Sequence, residues 1–131
     1  GAIAAGGAGV KPYLVENITV GNTTTYQAST HQSDRIMDAQ TAKTMQEFLR
    51  NNVETRYGPG NFGSLRVCAK TGTAQVGGDR KSNAMLAGFT TDEEYPFAFI
   101  VCVEEGGYGA STCIPIATQV LEACKQAIDK N

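Results

Sequence analysis

Lysine, threonine, glycine and threonine stand in succession at positions 70–73, inside a stretch, RVCAKTGTAQV at 66–76, that otherwise reads as a buried strand. An interior glycine weakens a strand and often marks a place where a ligand or another backbone comes close. Alternation along an extended chain puts Thr71 and Thr73 on one side and Lys70 and Gly72 on the other, while an edge strand offers its N–H and C=O groups in pairs. An extended peptide can add to such an edge as a further strand. The plainer alternative is an edge strand kept polar against aggregation.

Other reactive side chains are less promising. His31 lies in the polar run STHQSD at 29–34 and has no evident nucleophile to serve, so an exposed loop residue is expected. Glu104 and Glu105 form no acid–base pair, because adjacent strand residues face opposite ways. Cys68, Cys102, Cys113 and Cys124 make no Cys-x-x-Cys pair and sit among apolar neighbours; buried hydrophobes are expected, a disulfide framework is the lesser alternative, and the redox compartment stays open. Neither a metal site nor a cofactor is expected.

The elements that must position residues 70–73 follow from pattern. Residues 1–9 read as the end of a small-residue helix and a flexible connection through Gly6, Gly7 and Gly9. The β-rich runs 12–20 and 23–28 flank Gly21-Asn22, a two-residue hairpin turn. From Asp38, a candidate N-cap, to about Tyr57, the residues Ala42, Met45, Phe48, Leu49 and Val53 recur at helical spacing, and Gly58-Pro59-Gly60 stops the helix. Strands are expected at 65–75, 83–89 and 96–104, antiparallel because the turns between them are too short for crossovers. FAFIVCV at 97–103 is apolar at every position, so it should be the innermost strand, covered on both faces. A closing helix carries the stripe Cys113, Ile116, Ala117, Val120, Leu121, Cys124, Ala127 and Ile128, with Pro115 in its first turn and Ser111 or Thr112 as cap. Helices grouped around a short antiparallel sheet make an α+β fold, in a single domain over 1–131.

Composition excludes several classes. Hydrophobic residues make up 41% and charged residues 18% of the 131, so the chain is globular material, and it has no run of 18 apolar residues to span a bilayer. A net charge of −2 gives no reason to expect nucleic acid as a partner.

Lys70-Thr71-Gly72-Thr73 resembles the KTG motif of penicillin-binding proteins and serine β-lactamases. The likeness continues through KTGTAQ, NAMLAGF at 83–89, PFAFIVCVEEGG at 96–107 and the closing helix, and includes KPYLV at 11–15. KTGTAQ is more similar to class B transpeptidases of peptidoglycan synthesis than to secreted β-lactamases. The resemblance implies that the guest is a D-Ala-D-Ala stem peptide or a β-lactam. It further implies that Lys70, Thr71, Gly72 and Thr73 bind substrate, and that the backbone N–H of Thr73 forms half of an oxyanion hole.

The family's acyl transfer also needs a serine nucleophile in Ser-x-x-Lys and a second motif, Ser-x-Asn. Ser29, Ser33, Ser64, Ser82 and Ser111 are followed at plus three by Gln32, Ile36, Val67, Met85 and Ile114, and at plus two by His31, Arg35, Arg66, Ala84 and Cys113, so neither motif occurs. The expectation is a C-terminal part of a transpeptidase domain, inactive without a lobe bearing those motifs, whose parent works at the extracytoplasmic face of the bacterial membrane. Two alternatives stay open: a stand-alone, non-catalytic binding module, and a piece of a β-lactamase or β-lactam sensor. In the family further strands pair beside 97–103, so self-association through that edge is expected here.

Overall fold

The computed structural model describes residues 1–130. Their backbone falls into two compact units that divide between Lys43 and Thr44. In the first unit, a helical turn is closed by the amide of Ala5 on the carbonyl of Gly1 at 3.0 Å and that of Gly7 on Ala2 at 2.8 Å. Strand β1 (Ala8–Val10) then pairs antiparallel with β4 (Gln32–Arg35), and β2 (Asn17–Val20) with β3 (Thr23–Gln27). The expected hairpin is present, with Val20 opposite Thr23 around Gly21-Asn22, although its first strand starts at Asn17 rather than Pro12. One expectation is corrected: the glycine-rich connection ends in a strand. Its partner β4 takes up the second half of the polar run 29–34, because cross-strand hydrogen bonding needs no apolar pattern, while His31 stays outside the strand and exposed, as expected.

Helix α1 (Ala39–Asn52) starts where expected. Asp38 caps it, accepting the Thr41 amide at 2.8 Å on Oδ1 and the Thr41 hydroxyl at 2.7 Å on Oδ2. These bonds, the hydroxyl's first, hold the Asp38 carboxyl below its ordinary pKa. The helix widens into a π-helical turn, Val53–Tyr57, and stops at Gly58, whose φ of 93° suits glycine. Of its expected apolar face, Ala42 and Val53 are buried but Met45 and Phe48 are exposed.

The second unit is built on a three-stranded antiparallel sheet in the order β5 (Val67–Ala74), β6 (Asn83–Thr90), β7 (Ala98–Val103). FAFIVCV is therefore an edge strand, and the innermost is β6. One face of the sheet, carrying Val67, Ala69, Ala84 and Leu86, packs on helix α2 (Gly109–Asp129) through Cys113, Ile114, Ala117 and Leu121, and Val53, Phe62 and Leu65 complete this core. Each large apolar side chain buried there contributes about 1.5–3 kcal/mol. Phe99, Val101 and Val103 of β7 lean on the same core, whereas Ala98, Ile100 and Cys102 on the opposite face are exposed. A uniformly apolar strand thus has one covered face: among the described residues α2 packs on one side, and the other stays exposed.

Helix α2 also departs from expectation. Its N-cap is Tyr108, so Ser111 and Thr112 lie inside the first turn, where Thr112 Oγ1 donates to the Gly106 carbonyl at 2.7 Å. The broad apolar stripe divides: Cys113, Ala117 and Leu121 face the sheet, while Ile116, Val120, Cys124 and Ile128 are exposed. All four cysteines are free, and the expectation of burial holds for Cys68 and Cys113 but fails for Cys102 and Cys124.

Candidate functional site

Residues 70–73 lie in the middle and later part of β5, whose other long side has no strand partner among the described residues. The register with β6 pairs Lys70 with Ala87, Thr71 with Leu86, Gly72 with Met85 and Thr73 with Ala84. Backbone groups of successive residues point to opposite edges, so the bonds made by Thr71 define the geometry. The Thr71 amide donates outward, away from β6, to the Tyr57 hydroxyl at 3.0 Å, and the Thr71 carbonyl accepts from Lys70 Nζ at 2.8 Å. Nearer the strand's start, the Val67 carbonyl accepts from Arg50 Nη1 at 3.2 Å. Thr73, two residues beyond Thr71, presents its N–H and C=O on that same outer edge, and it is exposed with no partner for either among the described residues.

The side chains follow the alternation expected. Thr71 shares the α2 face with Val67 and Ala69, and its hydroxyl lies 3.1 Å from Tyr57 Oη. Lys70 is exposed on the other face. A Cβ at Gly72 would make only an ordinary 3.4 Å contact with Met85, so the chain's own packing does not demand glycine there.

Gly109 is different. A Cβ on this first residue of α2 would stand 2.5 Å from the carbonyl oxygens of both Gly72 and Met85 and 3.2 Å from Thr71 Cβ. Helix α2 therefore starts hard against the strand, bringing the positive end of its dipole beside Thr71 and Gly72.

Tyr57, Arg50 and Gly109 went unrecognised in the sequence. Tyr57 read only as the last residue of a helix, 14 positions from its partner Thr71, and nothing local marks such a contact. A signal for Gly109 did exist: Gly106 and Gly107 precede a helix that Gly109 opens, and glycine at such a point signals close backbone approach.

The remaining candidates do not converge on this strand. His31 is exposed, with Nε2 2.8 Å from Ser29 Oγ, and Glu105 pairs with Arg80 at 2.9 Å. The described residues hold no group of His, Cys, Asp and Glu arranged for a metal ion.

Comparison with known proteins gives a consistent picture. The sequence matches the penicillin binding protein transpeptidase domain family over residues 1–122. It is 27% identical over 130 residues to the peptidoglycan D,D-transpeptidase PbpA of Mycolicibacterium smegmatis, a match covering 92% of this chain and 26% of that protein. The fold superposes on penicillin-binding protein A from M. tuberculosis, solved as a ceftriaxone acyl-enzyme complex, with a TM-score of 0.82 and 26% identity over 94% of this chain and 30% of the other. The D,D-transpeptidase domain of a peptidoglycan glycosyltransferase from Eggerthella lenta shares the fold with a TM-score of 0.79 at 24% identity, over 96% and 30% of the two chains. The chain thus spans less than a third of the relatives it matches.

Proposed function

Because the chain belongs to the penicillin-binding-protein transpeptidase family, we propose that it is the substrate-gripping part of a peptidoglycan D,D-transpeptidase that acts in cell-wall synthesis outside the cytoplasmic membrane. The guest is a stem peptide ending in D-Ala-D-Ala, or a β-lactam that mimics it. The single observation that carries this reading is the outer edge of β5, where Thr71 is occupied on both backbone groups and Thr73 is open on both. An extended guest docked there accepts the Thr73 N–H and donates to the Thr73 C=O. Lys70 and the Thr71 hydroxyl supply charge and a hydrogen bond for its terminal carboxylate.

In the reaction proposed, a serine hydroxyl from the rest of the polypeptide adds to the penultimate D-Ala carbonyl. The oxyanion that forms is met by the Thr73 N–H, and the terminal D-Ala leaves as amine. This chain holds no Ser-x-x-Lys or Ser-x-Asn, so by itself it is inert. Incubation with a fluorescent penicillin should leave no covalent adduct, and a labelled band would defeat the proposal. Any reversible affinity of the isolated chain should be millimolar or weaker, about −4 kcal/mol at most. Reading the gene upstream of Gly1 for the two motifs separates this proposal from a stand-alone binding module.

The other edge of the sheet supports a second, smaller proposal: self-association. Along β7, Ala98, Ile100 and Cys102 turn outward from β6, and the strand carries no charge over its length. A second copy running antiparallel, paired about Ile100 or Val101, would match like faces of the two sheets. Sedimentation that stays strictly monomeric at high concentration would end this proposal.

A further inference from the structure

Tyr57 joins three parts of the second unit. It is the last residue of the π-helical turn, its ring packs against the core cluster, and its backbone carbonyl accepts from the Asn61 side chain. Its hydroxyl is left to face Thr71, 3.0 Å from the amide nitrogen and 3.1 Å from Oγ1. A phenol carries one proton and two lone pairs. Having accepted the Thr71 N–H, it has its proton available for Thr71 Oγ1, and that bond leaves the threonine's own proton to point outward. We infer that Tyr57 is a positioning residue, which orients the Thr71 hydroxyl as a donor to the carboxylate of an extended guest and closes the β5 ladder at Thr71 so that the guest pairs only at Thr73.

Both consequences follow from the same atom. A relay from Tyr57 O–H to Thr71 Oγ1, and from Thr71 O–H to a carboxylate, polarises cooperatively, each donor strengthened by the bond it accepts. The register follows because an edge amide already satisfied offers nothing to a new strand, so the guest's ladder starts at the first open position. Lys70 reinforces the block by occupying the Thr71 carbonyl. The ring's packing and the glycine at 58 fix the hydroxyl in place, so little ordering is required when a guest binds.

This inference rests on the proposed reading of residues 70–73, and the test separates the two. The chain is titrated with N-acetyl-D-Ala-D-Ala and with its C-terminal amide, following the amide NMR shifts of Thr71 and Thr73, in the wild type, Tyr57→Phe and Thr71→Val. Tyr57→Phe keeps the packed ring, and Thr71→Val keeps the side chain's shape.

The expected result is an acid that binds about tenfold more weakly to either variant, an amide whose weaker binding is unchanged in both, and a double variant no worse than the singles. Tyr57→Phe matching the wild type while Thr71→Val weakens the acid overturns the role of Tyr57 and leaves the guest reading intact. Equal losses for acid and amide in Tyr57→Phe mean a merely structural role and overturn it too. No shift at Thr71 or Thr73 with the acid at any attainable concentration overturns the guest reading, and the inference with it.

Discussion

The two edges of one small sheet have been finished in opposite ways. Along β5 the outward backbone groups are met by Arg50 at Val67 and by Tyr57 and Lys70 at Thr71, Ala69 between them is buried, and Thr73 is exposed and open. Along β7 the outward groups of Ala98, Ile100 and Cys102 have no such side chains around them, and Ile100 is 68% exposed. An unprotected edge invites any strand, whereas an edge dressed down to one residue admits a guest in one register. On the proposed reading the first edge is a selective site and the second an interface. Their shared partner, β6, holds both to the same core through Ala84 and Leu86.

This contrast can be broken most decisively at Thr73. In a longer polypeptide of the kind proposed, carrying the serine motifs, Thr73→Pro removes the open N–H and should lower the acylation rate by a β-lactam about 10²- to 10³-fold. Stability should change little, since proline is tolerated where an edge N–H faces out. Stopped-flow acylation and a denaturant melt report the two effects separately, and acylation at the wild-type rate would remove Thr73 from the site.

Next in size is Gly109→Ala, whose Cβ meets two backbone carbonyls that cannot swing aside. A loss of about 1–3 kcal/mol is expected in urea unfolding, through displacement of α2 from the dressed edge. An unchanged midpoint would mean that the helix start is not anchored there.

At the open edge, Ile100→Lys should abolish self-association in sedimentation while altering stability by no more than about 0.5 kcal/mol. Undiminished association would move the interface elsewhere. The cysteines sharpen the same comparison. Cys68 on β5 is buried, its thiol donating to the Gln46 carbonyl at 3.4 Å, and burial pushes it up, as it does Cys113. Cys102 on β7 is exposed. Mass spectrometry after brief alkylation of the native chain should find Cys102 and Cys124 modified, with Cys68 and Cys113 modified only after unfolding.

The smallest effect concerns the start of α1. The Asp38 carboxyl titrates lower in the folded chain than its ordinary 3.8, so its capping contribution is fully present above that value and is lost as pH falls through the folded one. Amide exchange in the first turn of α1 should accelerate in that acid range, and Asp38→Asn should remove the dependence.

Much of this was legible because it depends on short-range physics. The turn at Gly21-Asn22, the cap at Asp38, the stop at Gly58 and the antiparallel run of the last three strands are set by residues within a few positions of one another. The candidate site was legible for a related reason, since glycine and polar residues inside a strand contradict the packing around them. Illegible were the faces and the order. FAFIVCV has the composition of an innermost strand, and the stripe on α2 spans two faces, because apolarity states a tendency to be covered without naming the cover.

By itself the sequence determined most kinds of element and the hydrogen-bonding groups available at 70–73, because dihedral preference, alternation and hydrogen-bonding capacity are properties of neighbouring residues. Only the tertiary structure decided which strand lies at the edge, which thiols are hidden, and that Tyr57 and Gly109 stand against Thr71 and Gly72. Those outcomes come from packing between segments distant in the chain, where a hydroxyl 14 residues away satisfies an amide and one absent methyl group lets a helix meet a strand.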